Sequence, residues 1–350
     1  MARRFPVGKS QVIAGIDWLG EEIPYRAVVN GQEVRGDTFP MTWAADGEIY
    51  TSAGDPLWGA SVWGLDVEKI SGFPPDYRIS KVNDMPDYAG WGGRGPKPAG
   101  MISVRSVLYL AYQNLWGLKD PVHGMKSQNG TDSVITASND CGRTWLPDIT
   151  KTPKPMFPGP RFGGPAFVNF GKDNDGARDE FVYAVSTDQW DNGSHLVLGR
   201  VPNDRILEAG AWQWVSEIDE HAGPQWTGDL DRAVAVFSDD RWISLPEMVY
   251  LAKVRRYLLL TWRLNGDFSP ADGSRLMVYD APEPWGPFTL VHYEDVWQTK
   301  ETNPYCPRIP LKWMEGDGIT GWLQFSGSWG NFGVNPHYRS HVRKFRLRMR

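Results

Sequence analysis

Five times along this chain a short strand-like run closes on an aromatic residue and a tail of matching length. The runs are EIYTSAGD at 48–55, VLYLAYQN at 107–114, FVYAVSTD at 181–188, RRYLLLTW at 255–262 and TGWLQFSG at 320–327. Their anchors, Tyr50, Tyr109, Tyr183, Tyr257 and Trp322, stand 59, 74, 74 and 65 residues apart. A repeat of that length marks a chain of similar units, none of which can bury its apolar face alone. Small antiparallel sheets arranged radially solve the problem, because each packs on two neighbours and leaves little edge exposed. The spacing predicts an all-β, five-bladed β-propeller with one set of strand ends gathered around a central channel.

Each unit reads as an inner hairpin followed by outer strands, within blades at about 37–75, 98–150, 163–217, 243–296 and 301–350. In the first, 38–43 and 48–52 flank the turn Ala44-Ala45-Asp46-Gly47, and 60–67 follow. The second has 100–104, 107–112 and 133–138; the third has 165–170, 180–186 and 195–201. The fourth has 247–252, 256–262 and 275–280, and the fifth has 306–313 and 319–325. Asp-Gly and Asn-Gly pairs punctuate these runs as hairpins require. The segment 11–18 has no local partner and is expected to close the last blade beside the alternating C-terminal segment 341–350. One short helix is expected at 203–210, with Asn203 as cap and Gly210 as stop. The loops 71–98 and 115–131 are long enough to line a cleft mouth, and they carry Trp91, Arg94, Lys97, Trp116 and His123.

Composition narrows the function. Among 350 residues are 18 Trp, 13 Tyr and 14 Phe, which suit wedges between radial sheets and flat platforms for sugars. A net charge of -5 leaves no basic domain for phosphates, so nucleic acid is not expected as a partner. No stretch is long and apolar enough to span a bilayer. The start, Met-Ala-Arg-Arg-Phe-Pro, lacks the apolar core of a secretory signal, so the chain as written is cytoplasmic, or secreted with a leader removed. Cys141 and Cys306 could form one disulfide but specify neither a disulfide framework nor a metal cage. The six histidines, at 123, 195, 221, 292, 337 and 341, show no metal-ligand spacing. No cofactor is specified, a structural calcium in the channel is left open, and a monomer is expected.

Two motifs carry most of the argument. Ser138-Asn139-Asp140-Cys141-Gly142-Arg143-Thr144-Trp145 fits the S-x-D-x-G-x-T-W pattern of an Asp-box hairpin. There the Asp ties down the turn, Gly takes a left-handed conformation and Trp packs beneath, which is a structural role. Asp37 and Asp55 form the chemical constellation. A three-residue turn at 45–47 sets Asp37 opposite Asp55, whereas a two-residue turn sets Asp55 opposite Thr38. Either way both acids sit at one end of the innermost hairpin. Like charges so placed oppose folding, and a carboxyl pair with separated pKa values is the equipment for glycosidic cleavage. The bland alternative is two strand-end aspartates satisfied by turns and nearby Arg.

Glu247 opens the fourth inner hairpin in an apolar run, with Arg263 on the facing strand as its expected partner. It reads equally as a structural ion pair or as a third catalytic or pKa-tuning acid. Asn114, Asp188 with Trp190, Asn303 with Tyr305, and Ser326 lie at corresponding strand ends and would complete a saccharide groove. Arg94 and Lys97, in Gly93-Arg94-Gly95-Pro96-Lys97, could hold an anionic or hydroxyl-rich ligand.

Several segments resemble a bacterial propeller family catalogued as domain of unknown function 4185. They are GDTFPMTWAADGEIYTSAGD at 36–55, GARDEFVY at 176–183, LGRVP at 198–202 and YDAPEPWGPF at 279–288. The resemblance runs from about 36 to 327. It implies a five-bladed propeller and glycosidase activity, since some members are endo-D-arabinanases of glycoside hydrolase family 183. Asp37 and Asp55 match that family's acidic opening motif. The expected function is therefore hydrolysis of a polysaccharide, without a cofactor, by an endo action on an arabinan-like furanoside. The rival readings are a non-catalytic carbohydrate-binding propeller and a polysaccharide lyase using Tyr305 with Arg94 and Lys97.

Overall fold

Every aromatic-anchored run is a strand flanked on both sides by antiparallel partners. The computed structural model describes residues 4–60, 63–86, 88, 95–116, 129–147, 155–219, 222–264, 273–297, 303–328 and 335–350, and among them no α-helix occurs. In the first set, Met41–Trp43, Ile49–Thr51, Val67–Ser71 and Arg78–Asn83 pair in chain order. Gly95–Val104, Val107–Trp116, Asn129–Ser138 and Phe157–Pro158 repeat the pattern. So do Ala166–Asn169, Phe181–Thr187, Gly193–Pro202 and Gln213–Asp219, then Glu247–Leu251, Arg256–Leu264, Ser274–Ala281 and Thr289–Glu294. The last set is Tyr305–Arg308, Thr320–Ser326 and Ser340–Met349, with Ile13–Trp18 as its outermost strand against Ser340–Met349.

The first strand of each set lies beside the first strand of the next. Ala166–Asn169 and Glu247–Leu251 even form a parallel pair, Val168 facing Met248. The core is correspondingly divided into apolar clusters between successive sets. Tyr50, Val67 and Leu110 share one; Ile102, Val182 and Trp212 share another; Val185, Met248 and Tyr257 a third. Val249, Tyr305 and Leu347 belong to a fourth, and Met41, Ile79 and Val342 bring the last set against the first. Every cluster combines aliphatic side chains with aromatics, as in the edge-on Trp212–Phe157 pair at 5.3 Å. Such pairs add about 0.5–1.5 kcal/mol beyond the area they bury.

The recurring aromatic has a local cause in two of the runs. Tyr50 donates to Asp46 at 2.9 Å and Tyr183 to Asp179 at 2.8 Å, each tying the strand to the turn four residues earlier. The Asp-box forms as its spacing predicts. Asp140 accepts from the Thr144 amide at 2.8 Å and hydroxyl at 2.7 Å, and Gly142 has φ 86°. Those Thr144 bonds hold the Asp140 carboxyl down at about 2.

Three expectations need correction. The segment 203–210 makes successive i→i+3 turns, and only Ala209–Ala211 is a 3-10 helix. Its Ile206 carbonyl instead accepts from the Trp212 indole at 3.0 Å. The stretch 71–98 is not one long loop, since it contains Arg78–Asn83 and the start of Gly95–Val104. Cys141 is exposed, Cys306 is buried, and both are free thiols.

Candidate functional site

The first hairpin places the acids by a turn and a slip. Ala44 and Glu48 close a three-residue loop through a 2.8 Å bond, with Gly47 at φ 86°. Met41 then faces Thr51, as that turn requires. Before Met41 the chain departs from extended geometry, with φ 59° at Thr38 and 43° at Phe39, and the Phe39 amide bonds the Asp37 carbonyl at 2.8 Å. One residue is consumed, so Asp37 pairs with Gly54 through reciprocal 2.9 Å bonds instead of facing Asp55. Asp55 is therefore one residue out of register with Asp37, yet close enough for its charge to act on it. Neither hairpin register derived from the turn alone gives this arrangement.

Glycine is needed at 54 because the Asp37 side chain folds across it: a Cβ there would lie 2.4 Å from Asp37 Oδ1. Gly54→Ala is expected to displace that carboxylate and cost about 1–3 kcal/mol, read by denaturant unfolding. An unchanged midpoint would contradict the packing.

Both acids are enclosed, Asp37 with 2% and Asp55 with 1% of its surface exposed. Asp37 Oδ2 accepts from the Tyr305 hydroxyl at 2.8 Å. Asp55 is ion-paired with Lys97 at 3.1 Å, and the Tyr338 hydroxyl donates to the Gly54 and Asp55 carbonyls at 3.4 Å. Burial above all, and then the charge of Asp55, push Asp37 up to about 8. Tyr305 and Lys97 oppose that shift without cancelling it. The pair thus joins a carboxyl whose proton is held more tightly than usual, Asp37, to one that is paired with a lysine, Asp55. Left-handed backbone is concentrated here, at Thr38, Phe39, Asp55, Asn303 and Cys306. Strain of this kind persists only where the surroundings enforce it.

Glu247 pairs with Arg308, not with Arg263. Arg308 Nη1 donates to Glu247 Oε2 at 3.0 Å and to the Pro246 carbonyl at 2.9 Å, while its Nε donates to the Thr38 carbonyl at 3.2 Å. One buried guanidinium therefore joins Glu247 to the strand that bears Asp37. Burial still raises Glu247 to about 7 despite Arg308. Arg263 instead lies over the Trp242 ring, 4.2 Å from its centroid.

The remaining candidates divide. Trp190 packs edge-on to Trp262 and to Tyr305, the residue that holds Asp37. Ser326 pairs in register with Tyr305, and Asn303 is buried two residues before it. Asn114 donates to Asp132 on its partner strand. Asp188 accepts from the Ser194 and His195 amides at 2.8 and 3.1 Å, tying its own turn, and borders a cleft of 680 Å³ with Arg161, His195 and Val234. Arg94, like Trp91 and His123, lies outside the described residues. Sequence reasoning missed Arg308 and Tyr338. A lone Arg among Cys306, Pro307, Ile309 and Pro310 is a signal of a buried counter-ion; nothing near Tyr338 gave one. It also took the histidines as dispersed, whereas the fold brings His337 and His341 to Glu22, with donor atoms within 4.8 Å of one another.

No family model matches the chain, and no curated protein matches it. The resemblance drawn from the quoted motifs therefore stands on those motifs. Solved structures do match in fold. One is an α-L-arabinofuranosidase of Podospora anserina in complex with cellotriose, at TM-score 0.51 and 12% identity, covering 92% of this chain and 94% of that one. A putative hydrolase of Bacteroides ovatus matches at TM-score 0.52 and 12% identity, covering 89% and 85%. A GH43_1 enzyme of Xanthomonas citri matches at TM-score 0.50 and 15% identity, covering 92% and 90%. The chain shares the fold of glycoside hydrolases. At such identity the likeness concerns the fold alone.

Proposed function

We propose that this protein is a glycoside hydrolase built on a five-bladed β-propeller, with Asp37 and Asp55 as its reacting carboxyls. The observation that carries the reading is the adjacency of Asp37, whose carboxyl burial pushes up to about 8, and a Lys97-paired Asp55 at one end of the innermost hairpin. Two carboxyls held in opposite protonation states are what cleavage of an acetal requires. Asp37 would protonate the leaving oxygen. Asp55 would attack the anomeric carbon, and neighbouring placement on one hairpin favours the short separation of retaining enzymes. The Lys97 ion pair aims Asp55, and the Tyr305 hydroxyl holds Oδ2 of Asp37. Glu247 and Arg308 would position the Thr38 turn instead of touching sugar.

An arabinan-like furanoside is the substrate class favoured by the opening motif and by the arabinofuranosidase among the fold neighbours. The lyase reading is weakened by Tyr305: burial, followed by the charge of Asp37, raises its hydroxyl far above the range of a base. The binding-only reading draws on the enclosure of both acids.

A panel of arabinans, xylans and galactans, followed by reducing-end release and product anomer, tests the proposal. Hydrolysis with retention is expected, falling off above about pH 8 as Asp37 loses its proton. Binding without release would leave only the carbohydrate-binding module, and an unsaturated product would mark a lyase.

A further inference from the structure

Away from the acid pair, Glu22, His337 and His341 meet where the segment before Ile23–Pro24 crosses the start of Ser340–Met349. His341 is fully buried, its ring stacked at 5.4 Å on Phe325. Its Nε2 lies 3.0 Å from the His337 carbonyl oxygen, which can only accept, so Nε2 bears hydrogen. In the neutral ring Nδ1 then carries a lone pair, and it faces Glu22 Oε1 at 3.1 Å. Two acceptors in contact need a positive charge between or upon them. An ion about 2.0–2.1 Å from each fits that gap. The third donor is on His337, whose ring lies nearly parallel to that of His341 at 6.1 Å and whose buried Nδ1 has no hydrogen-bond partner among the described residues.

We propose that Glu22, His337 and His341 form a binding site for a divalent transition metal, zinc being the natural occupant. Two imidazoles and a carboxylate are a borderline donor set that suits zinc over calcium or magnesium. The bond from His341 Nε2 to a backbone carbonyl is the outer-shell contact that fixes a ligating ring. The ion would pin the N-terminal segment to the C-terminal strand. It would also brace Tyr338, which lies between the two histidines in sequence and reaches the Asp55 carbonyl.

The test uses the full chain without a polyhistidine tag. Zinc uptake is measured by calorimetry and metal analysis, and cobalt(II) is substituted to read its visible ligand-field bands. Expected is one ion per chain, with cobalt bands of a nitrogen–oxygen set. Glu22→Gln and His337→Gln should each weaken binding by more than the about 10–100-fold that an outer-shell change costs. Failure of the wild-type chain to take up either metal overturns the proposal. Equal affinity in both variants overturns it too, by placing the ion elsewhere. If a variant does not fold, the wild-type cobalt spectrum still decides. Activity on glycans is not a readout, so failure here leaves the hydrolase proposal standing.

Discussion

Asp37→Asn is expected to lower glycan hydrolysis by about 10²–10⁴-fold, the usual contribution of a positioned general acid, while making the protein more stable at alkaline pH. The amide keeps the shape and can still accept from Tyr305, but it cannot deliver a proton. The stability gain follows from linkage. Asp37 titrates near its ordinary value in the unfolded chain and is raised to about 8 in the folded one, first by burial and then by Asp55. Its contribution is fully present below the unfolded pKa and is lost as pH rises through about 8. Asparagine carries no such penalty. The unfolding free energy of the variant should exceed that of wild type increasingly from about pH 4 to 8, by an amount on the order of a few kcal/mol at the top, and its melting temperature should rise in step. Glu247, raised to about 7, adds dependence of the same sign to both proteins. Asp55→Asn should abolish hydrolysis as completely but leave Lys97 buried without its counter-ion, so its stability should fall. Full activity in either variant would end the assignment. Lost activity with an unshifted alkaline melting curve for Asp37→Asn would mean that Asp37 is not the proton holder.

Arg308→Met is expected to produce the largest loss of stability, about 3–5 kcal/mol. Arg308 is wholly buried and holds Glu247, the Pro246 carbonyl and the Thr38 carbonyl at once. Its removal strands a buried carboxylate and frees two carbonyls. Glu247 would respond by keeping a proton, because burial already lifts it to about 7 with Arg308 in place. That response limits the damage at pH 6 and exposes it at pH 9, so the deficit should widen with pH. The double variant Arg308→Met with Glu247→Gln should recover much of the alkaline loss. A deficit under about 1 kcal/mol, or one independent of pH, would show that the guanidinium is not the tie described.

The architecture was legible because its signals are local and repeated. Tyr50 and Tyr183 bond turn aspartates four residues back, so the aromatic register reports a real hairpin constraint. Asp140 and Gly142 settle their turn without help from elsewhere. The candidate site was legible only in part. Asp37 and Asp55 were singled out because they flank one hairpin, yet their register was misjudged, since the slip depends on positive φ at Thr38 and Phe39 that nothing in those residue types announces. The partner of Glu247 was misassigned for a different reason. Arg263 is close in chain terms, whereas Arg308 arrives from another sheet, and contacts between sheets leave no periodic trace. Tyr338 and the pairing of Glu22 with His341 are long-range for the same reason.

The pairing of Ile13–Trp18 with Ser340–Met349 also has a consequence for biogenesis. A strand made long before its partner must wait, unpaired, until that partner has left the ribosome. Such delayed long-range pairing is slow and leaves an adhesive edge open in the meantime. Permuting the chain so that these two strands become consecutive would convert the last association to a local hairpin, and refolding should then be faster and less prone to aggregation.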